Sequence, residues 1–250
     1  MDFITVTNKN NISTIWLERG KVNAINEDVV AQLYSALRQL EADEATSAVI
    51  LTGVGDFFSF GFDIPEFYHH TPEEFRRFVV SFTNLYTYLF LYPKPVIAAL
   101  NGHTIAGGCM LSNACDYRIV AEGKAKVALN ELAFGSTVFA GSVAILRAIA
   151  GQVNAERVLI TGYLFDNEQA LKHGLVNEVI AADELMVRSR RKAEKYGAVH
   201  GQAYASIKRL LRQPIVDSYR DLEEASIDEF IDIWYSDTLR ENLKEIKIRK

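Results

Sequence analysis

An α/β fold is the class that this 250-residue sequence predicts, and three patterns predict it. Two short runs, Ala48-Val49-Ile50-Leu51-Thr52 and Val96-Ile97-Ala98-Ala99-Leu100, have the continuous apolar character of strands buried on both faces. Segments with apolar residues at helical spacing precede, separate and follow them. Beyond Ala140 helical patterns dominate, so a layered sheet-and-helix core over residues 1–196 is expected to carry a helical segment over 197–250.

The elements follow in order. Ile4 to Val6 and Thr14 to Leu17 are expected to form a hairpin, because β-branched residues flank the turn-forming Asn8-Lys9-Asn10-Asn11. Asn26 caps a helix whose first turn holds Glu27 and Asp28 and whose Val29, Val30, Leu33, Leu37 and Leu40 share one face. Thr71-Pro72-Glu73-Glu74 starts another, and Phe75, Phe78, Val79, Phe82, Leu85 and Leu89 extend it until Pro93. Later helices are predicted over Ser142 to Ile149, Asn154 to Thr161 and Asp183 to Tyr196, with a short strand from Leu175 to Val179 and no further parallel layer. From Gly201, Ile207, Leu210 and Leu211, then Leu222, Ile227, Phe230, Ile231 and Trp234, form two apolar helical stripes with no strand partner. The chain's own core or a neighbouring subunit would cover the segment around Trp234 and Tyr235, and the neighbouring subunit is the expectation.

Composition narrows the functional classes. Hydrophobic residues at 49% and charged residues at 24% fit an ordinary globular protein. A net charge of −5 speaks against a nucleic-acid footprint, which needs a concentrated positive face. The opening residues lack a basic leader and an apolar stretch of signal-peptide length, so a cytoplasmic location is expected. Val96 to Cys115 is the most apolar stretch, yet Asn101, His103, Ser112 and Asn113 interrupt it, which makes it a buried element and not a membrane span. Cys109 and Cys115 have no CxxC spacing, and His69, His70, His103, His173 and His200 have no ligand spacing, so no metal site is expected.

Two glycine-containing turns follow the buried strands. In Phe58-Ser59-Phe60-Gly61-Phe62-Asp63-Ile64, Gly61 permits a conformation that a bulky residue resists and would let the Phe62 amide point into a cavity. In Asn101-Gly102 through Ala106-Gly107-Gly108-Cys109-Met110, the amides near Gly107 open an apolar helix and lie at its positive end. For either turn alone, close packing of strand on helix explains the glycines equally well. GxGxxG, GxxxxGK[ST] and GxSxG are all absent, which argues against dinucleotide binding, nucleotide hydrolysis and a serine triad.

Taken together, these motifs resemble those of the crotonase, or enoyl-CoA hydratase/isomerase, superfamily. Asn23-Ala24-Ile25-Asn26 is similar to its NALN stretch, Phe58 to Asp63 to its FxAGxD loop, Asn101 to Cys109 to its NGxxxGGG segment, Cys115-Asp116-Tyr117-Arg118-Ile119 to its CDxRI element, and Leu129-Asn130-Glu131 to its PE or LNE element. The resemblance implies a crotonase-like spiral of ββα units with C-terminal helices for a homotrimer or dimer of trimers, acting on acyl-CoA thioesters. It also implies that the amides of Phe62 and Gly107 hold a thioester oxygen, that coenzyme A enters as part of the substrate with no separate cofactor, and that Val22, Ala24, Phe60, Gly61, Asp63, Ile64, Gly108, Met110, Phe134 and Phe139 surround the substrate. Asp63 also suits a helix cap. The departures are Phe60 for a usual alanine, Ala106 for the first of three glycines, and Val138-Phe139-Ala140-Gly141 for a glycine-rich turn. Arg19, Lys21, Lys244, Lys247, Arg249 and Lys250 are candidates for the CoA phosphates, although such residues also serve as solvated surface.

Hydratases of the family resemble one another in carrying two glutamates, one just after the glycine run and one in the PE element. This sequence has Met110 at the first position and Glu131 at the second. A thioether cannot orient water or donate a proton, whereas moving a double bond from the 3 to the 2 position of an enoyl-CoA needs one base. The expected chemistry is therefore isomerisation, with Glu131 raised by an apolar wall that includes Met110, Phe134 or Phe139. The alternatives are hydration or another crotonase reaction aided by Glu66, His69 or His70, and a non-catalytic acyl-CoA-binding protein.

Overall fold

The computed structural model describes residues 2–244 and Ile246. It opens with the strands β1 (Ile4–Lys9) and β2 (Ile12–Leu17), paired antiparallel through Asn10 and Asn11, both at positive φ as a two-residue hairpin requires. Helix α1 (Glu27–Ala42) follows, its Asn26 cap accepting from the Val29 N–H. A repeat then begins: a long strand, a short strand and a helix. The first round is β3 (Ala48–Gly53), β4 (Phe57–Ser59), and the helices α2 (Ile64–Phe67) and α3 (Pro72–Leu91). The second is β5 (Val96–Leu100), β6 (His103–Ile105) and α4 (Gly107–Ala114), and the third is β7 (Tyr117–Ala121), β8 (Val127–Ala128), a 3-10 turn over Glu131–Phe134 and α5 (Ala140–Ala150). The chain continues through α6 (Gln152–Thr161), α7 (Asn167–Lys172), β9 (Glu178–Ile180), α8 (Leu185–Gly197), α9 (Gly201–Trp234) and α10 (Asp237–Lys244).

The repeat explains the architecture. Long strands enter a six-stranded sheet, ordered β1-β2-β3-β5-β7-β9, and short strands enter a three-stranded sheet, ordered β4-β6-β8. Each ββα unit thus adds one strand to both sheets, with every pairing after β1-β2 parallel. Alternation along β3 divides its side chains between two cores. Val49 and Leu51 face the main core with α1 and α3, while Ala48 and Ile50 face a smaller cluster closed by Leu185 and Ala193 of α8.

Helix α3 supplies the aromatic heart. Its start is fixed by a reciprocal capping box between Thr71 and Glu74 with Pro72 in the first turn. Phe75, Phe78 and Phe82 are fully buried on one face, and Phe62 stands edge-on to Phe78 and Phe82, both centroids 4.8 Å away. Truncating any of these three to alanine removes roughly 3–5 kcal/mol of packing.

Three expectations change. The strand predicted from Leu175 starts at Glu178, because the Leu175 and Val176 amides are spent on the Ala170 carbonyl that ends α7. That strand joins β7 in parallel, so the layering does not stop at Ala140. The two C-terminal stripes lie on one 34-residue helix, α9, with Pro214 inside it. Trp234 packs within its own chain, 4.4 Å from the Phe75 ring, and the Tyr235 hydroxyl donates to the His70 carbonyl at 2.7 Å. The expected packing of this segment on a neighbour is therefore corrected: Ile207, Leu210 and Leu211, at the other end of α9, stay exposed. Among the described residues, no helix is long and apolar enough to cross a membrane.

Candidate active site

The two glycine turns meet. Ile25 donates to the Gly61 carbonyl at 2.8 Å and accepts from the Asp63 N–H at 3.0 Å, forming an isolated parallel bridge that leaves the intervening Phe62 N–H on the opposite side. Gly61 sits at φ +90, and a Cβ there would stand 3.0 Å from the Ala106 Cβ and 3.1 Å from the Gly107 nitrogen. Any larger residue would be strained and would push the turns apart. Gly107 opens α4, where the first N–H has no intrahelical acceptor. Among the described residues, no protein group accepts from either the Phe62 or the Gly107 N–H.

Ala106 adds strain to this junction. It lies at φ +50 and ψ −122, a region that favours glycine, and its amide donates to the Ala128 carbonyl of β8 at 2.8 Å. The substitution of alanine for the usual glycine is therefore held by the sheet. Gly108 packs instead of binding: a Cβ there would meet the Ser59 carbonyl at 2.6 Å.

Phe62 and Gly107 border a cavity of about 310 Å³ that Glu131 also borders. Phe60, Ile64, Met110, Phe134 and Phe139 complete the expected lining. Gly61, Asp63, Gly108, Val22 and Ala24 stand behind it. Val22 accepts from the Phe60 N–H at 3.0 Å, the Ala24 carbonyl accepts from Arg19 at 3.2 Å, and Asp63 caps α2 through the Glu66 N–H. Arg19 is committed to Asp63 at 2.7 Å and Glu66 at 2.6 Å. Glu66, His69 and His70 do not line the cavity. Lys247, Arg249 and Lys250 lie outside the described residues.

Sequence reasoning missed Phe230 and Trp234, which close the cavity from α9, and Ser136. The two aromatics had shown only as part of a helical stripe. Ser136 had no signal apart from its place five residues after Glu131.

Glu131 begins its 3-10 turn and is 5% exposed. Its Oε2 has no hydrogen-bond partner among the described residues, and burial raises its pKa from the ordinary 4.5 to about 8. Cys109 beneath it is pushed up to about 12, first by burial and then by the Glu131 charge, and stays a thiol. A carboxyl of this kind can take and return a proton near neutral pH, while two free N–H groups can stabilise a developing oxyanion.

Such a pairing of main-chain donors and a buried carboxyl, on a spiral of ββα units, defines a crotonase-fold enzyme. The chain belongs to the enoyl-CoA hydratase/isomerase family, which matches residues 7–245. Mitochondrial enoyl-CoA delta isomerase 1 of Mus musculus is 28% identical over 234 residues, covering 93% of this chain and 81% of the relative. The short-chain-enoyl-CoA hydratase of Clostridium acetobutylicum is 32% identical over 194 residues, covering 77% of this chain and 74% of the relative. The crystal structure of human mitochondrial delta3-delta2-enoyl-CoA isomerase shares the fold, with a TM-score of 0.93 over 97% of this chain and 96% of that one, at 24% identity.

Proposed function

We propose that this chain is an enoyl-CoA isomerase that moves a double bond from the 3 to the 2 position of an acyl-CoA thioester, with Glu131 as its single proton carrier. The carrying observation is the buried Glu131 carboxyl, raised to about 8, on an apolar cavity bordered by Met110 and by two free amides. The thioester oxygen accepts from the Phe62 and Gly107 N–H groups, each lowering the barrier by roughly 3 kcal/mol as negative charge builds there. The Glu131 carboxylate removes a proton from C2, and the released pair spreads through the thioester and the adjoining double bond. The same carboxyl returns the proton at C4, which leaves the double bond between C2 and C3. Atoms and electrons balance without a further reactant, and coenzyme A enters only as part of the substrate. An assembly of three copies, or two such trimers, belongs to the same proposal and would cover the exposed Ile207, Leu210 and Leu211.

Hydration needs a second polar group to hold water, and Met110 offers none from α4. Product analysis with 3-enoyl-CoA and 2-enoyl-CoA tests the reading. Migration of the double bond is expected, with hydration slow beside it. Rapid hydration of 2-enoyl-CoA with no migration of 3-enoyl-CoA would overturn it in favour of a hydratase, and the absence of both reactions would favour an acyl-CoA-binding role.

A further inference from the structure

Behind Glu131 lies a second, half-open cavity of about 330 Å³, lined by Leu129, Val138, Val143 and Leu159 with Arg147 and Glu156. Glu131 and Ser136 are the only described residues that border both this cavity and the one facing the two amides. They form the partition. The turn between them is tight: the Ser136 N–H donates to the Glu131 carbonyl at 2.9 Å, and Gly135 reverses the chain at φ +93.

Ser136 is 3% exposed, and its Oγ has no hydrogen-bond partner among the described residues, like the Glu131 Oε2. With the Asn130 Oδ1, three orphaned polar atoms stand on one turn, and that of Ser136 calls for an explanation, because a buried hydroxyl without a partner is costly and alanine would fill the place more cheaply. A hydroxyl has a property that the neighbouring groups lack: it donates to a carboxylate and accepts from a carboxylic acid by rotating its O–H. A base that alternates between those two forms needs such a neighbour in each half of its cycle.

We propose that Ser136 is a positioning residue for Glu131, its hydroxyl swinging onto the carboxyl, directly or through one water, to donate to the charged form and accept from the neutral one. The inference rests on Glu131 carrying the proton. The titratable group that senses the carboxyl is Cys109 from α4, while Arg147 from α5 and Glu156 from α6 line the second cavity. None of them bonds the Glu131 Oε2.

The test is the Ser136→Ala variant, with Ser136→Thr as the hydroxyl-retaining control. Donation to the charged form is the stronger of the two bonds, so its loss should move the midpoint of the pH profile of kcat/KM up by about one pH unit. At neutral pH kcat/KM should fall about tenfold, while Ser136→Thr keeps the wild-type midpoint. Direct titration of the Glu131 carboxyl by carbon-13 NMR should show the same displacement without substrate, which separates this inference from the reaction assigned above. A Ser136→Ala protein that folds and keeps the wild-type Glu131 titration overturns the role of Ser136, whatever reaction is catalysed. Wild-type protein without double-bond migration overturns the isomerase reading alone. Should Ser136→Ala fail to fold, Ser136→Cys, with its weak thiol donor, takes its place and should give an upward shift.

Discussion

Glu131, a residue 5% exposed, and Asp116, whose side chain is 6% exposed, both withdraw a carboxylate from solvent, in opposite surroundings. Asp116 sits between two cations, Lys208 at 2.8 Å and Arg212 at 3.0 Å, and accepts the Val96 N–H at 2.7 Å. Glu131 faces apolar side chains and has an oxygen with no partner. Depth alone therefore decides nothing. A buried charge with partners joins β5, β7 and α9 into one body, whereas a buried carboxyl without them keeps its proton into the neutral range and becomes a reagent.

Replacing each carboxylate with its amide should act on the protein in opposite ways. For Glu131→Gln, kcat for double-bond migration should fall about 10³-fold. The same variant should be more stable than wild type at high pH. Glu131 is an acid whose folded pKa is raised above 4.5, so its contribution favours the fold fully below about 4.5 and is lost as pH rises through about 8. Glutamine has no such loss, and the difference in unfolding free energy between the two proteins, read from urea titrations, should change by a few kcal/mol between about pH 5 and about pH 9. If that difference is the same at both pH values, burial is not what tunes this group.

Asp116→Asn should instead cost stability, about 3–5 kcal/mol in urea unfolding at neutral pH, because it leaves Lys208 and Arg212 buried with a neutral neighbour. An unfolding free energy equal to wild type would mean that water reaches the cluster and that the two sites differ less than their contacts indicate. The smallest effect sharpens the contrast by giving Glu131 what Asp116 has. Met110→Lys places an ammonium on the same cavity, which should lower the midpoint of the pH profile by roughly 1–3 pH units and reduce kcat about tenfold. An unmoved profile would show that position 110 does not sense the carboxyl.

Much of this was legible because the informative residues are local. Phe62, Gly107, Met110 and Glu131 each belong to a short stretch of sequence, and the fold brings all four to one cavity. What escaped depends on distant partners. Phe230 and Trp234 reach the cavity from α9, about a hundred residues after Glu131, and no spacing rule links them. Strand β9 is only three residues long and half-buried, so its place beside β7 emerges from pairing and not from hydrophobicity. The short strands β4, β6 and β8 lie below the length at which alternation can be seen, yet they make the second sheet. Strain at Ala106 is likewise a tertiary property: alanine gives no warning of positive φ.

Helix α9 connects the two carboxylates that were contrasted. Lys208 and Arg212 grip Asp116 near its beginning, and Phe230 and Trp234 bound the cavity near its end. From Arg212 to Phe230 the helix advances about 27 Å, at 1.5 Å per residue. Mechanically it is a beam held at both ends, by Asp116 on Lys208 and Arg212 and by Arg76 on Asp228 with the Tyr235 hydroxyl on the His70 carbonyl, so the wall that Phe230 and Trp234 give the cavity is fixed by footings outside the cavity itself.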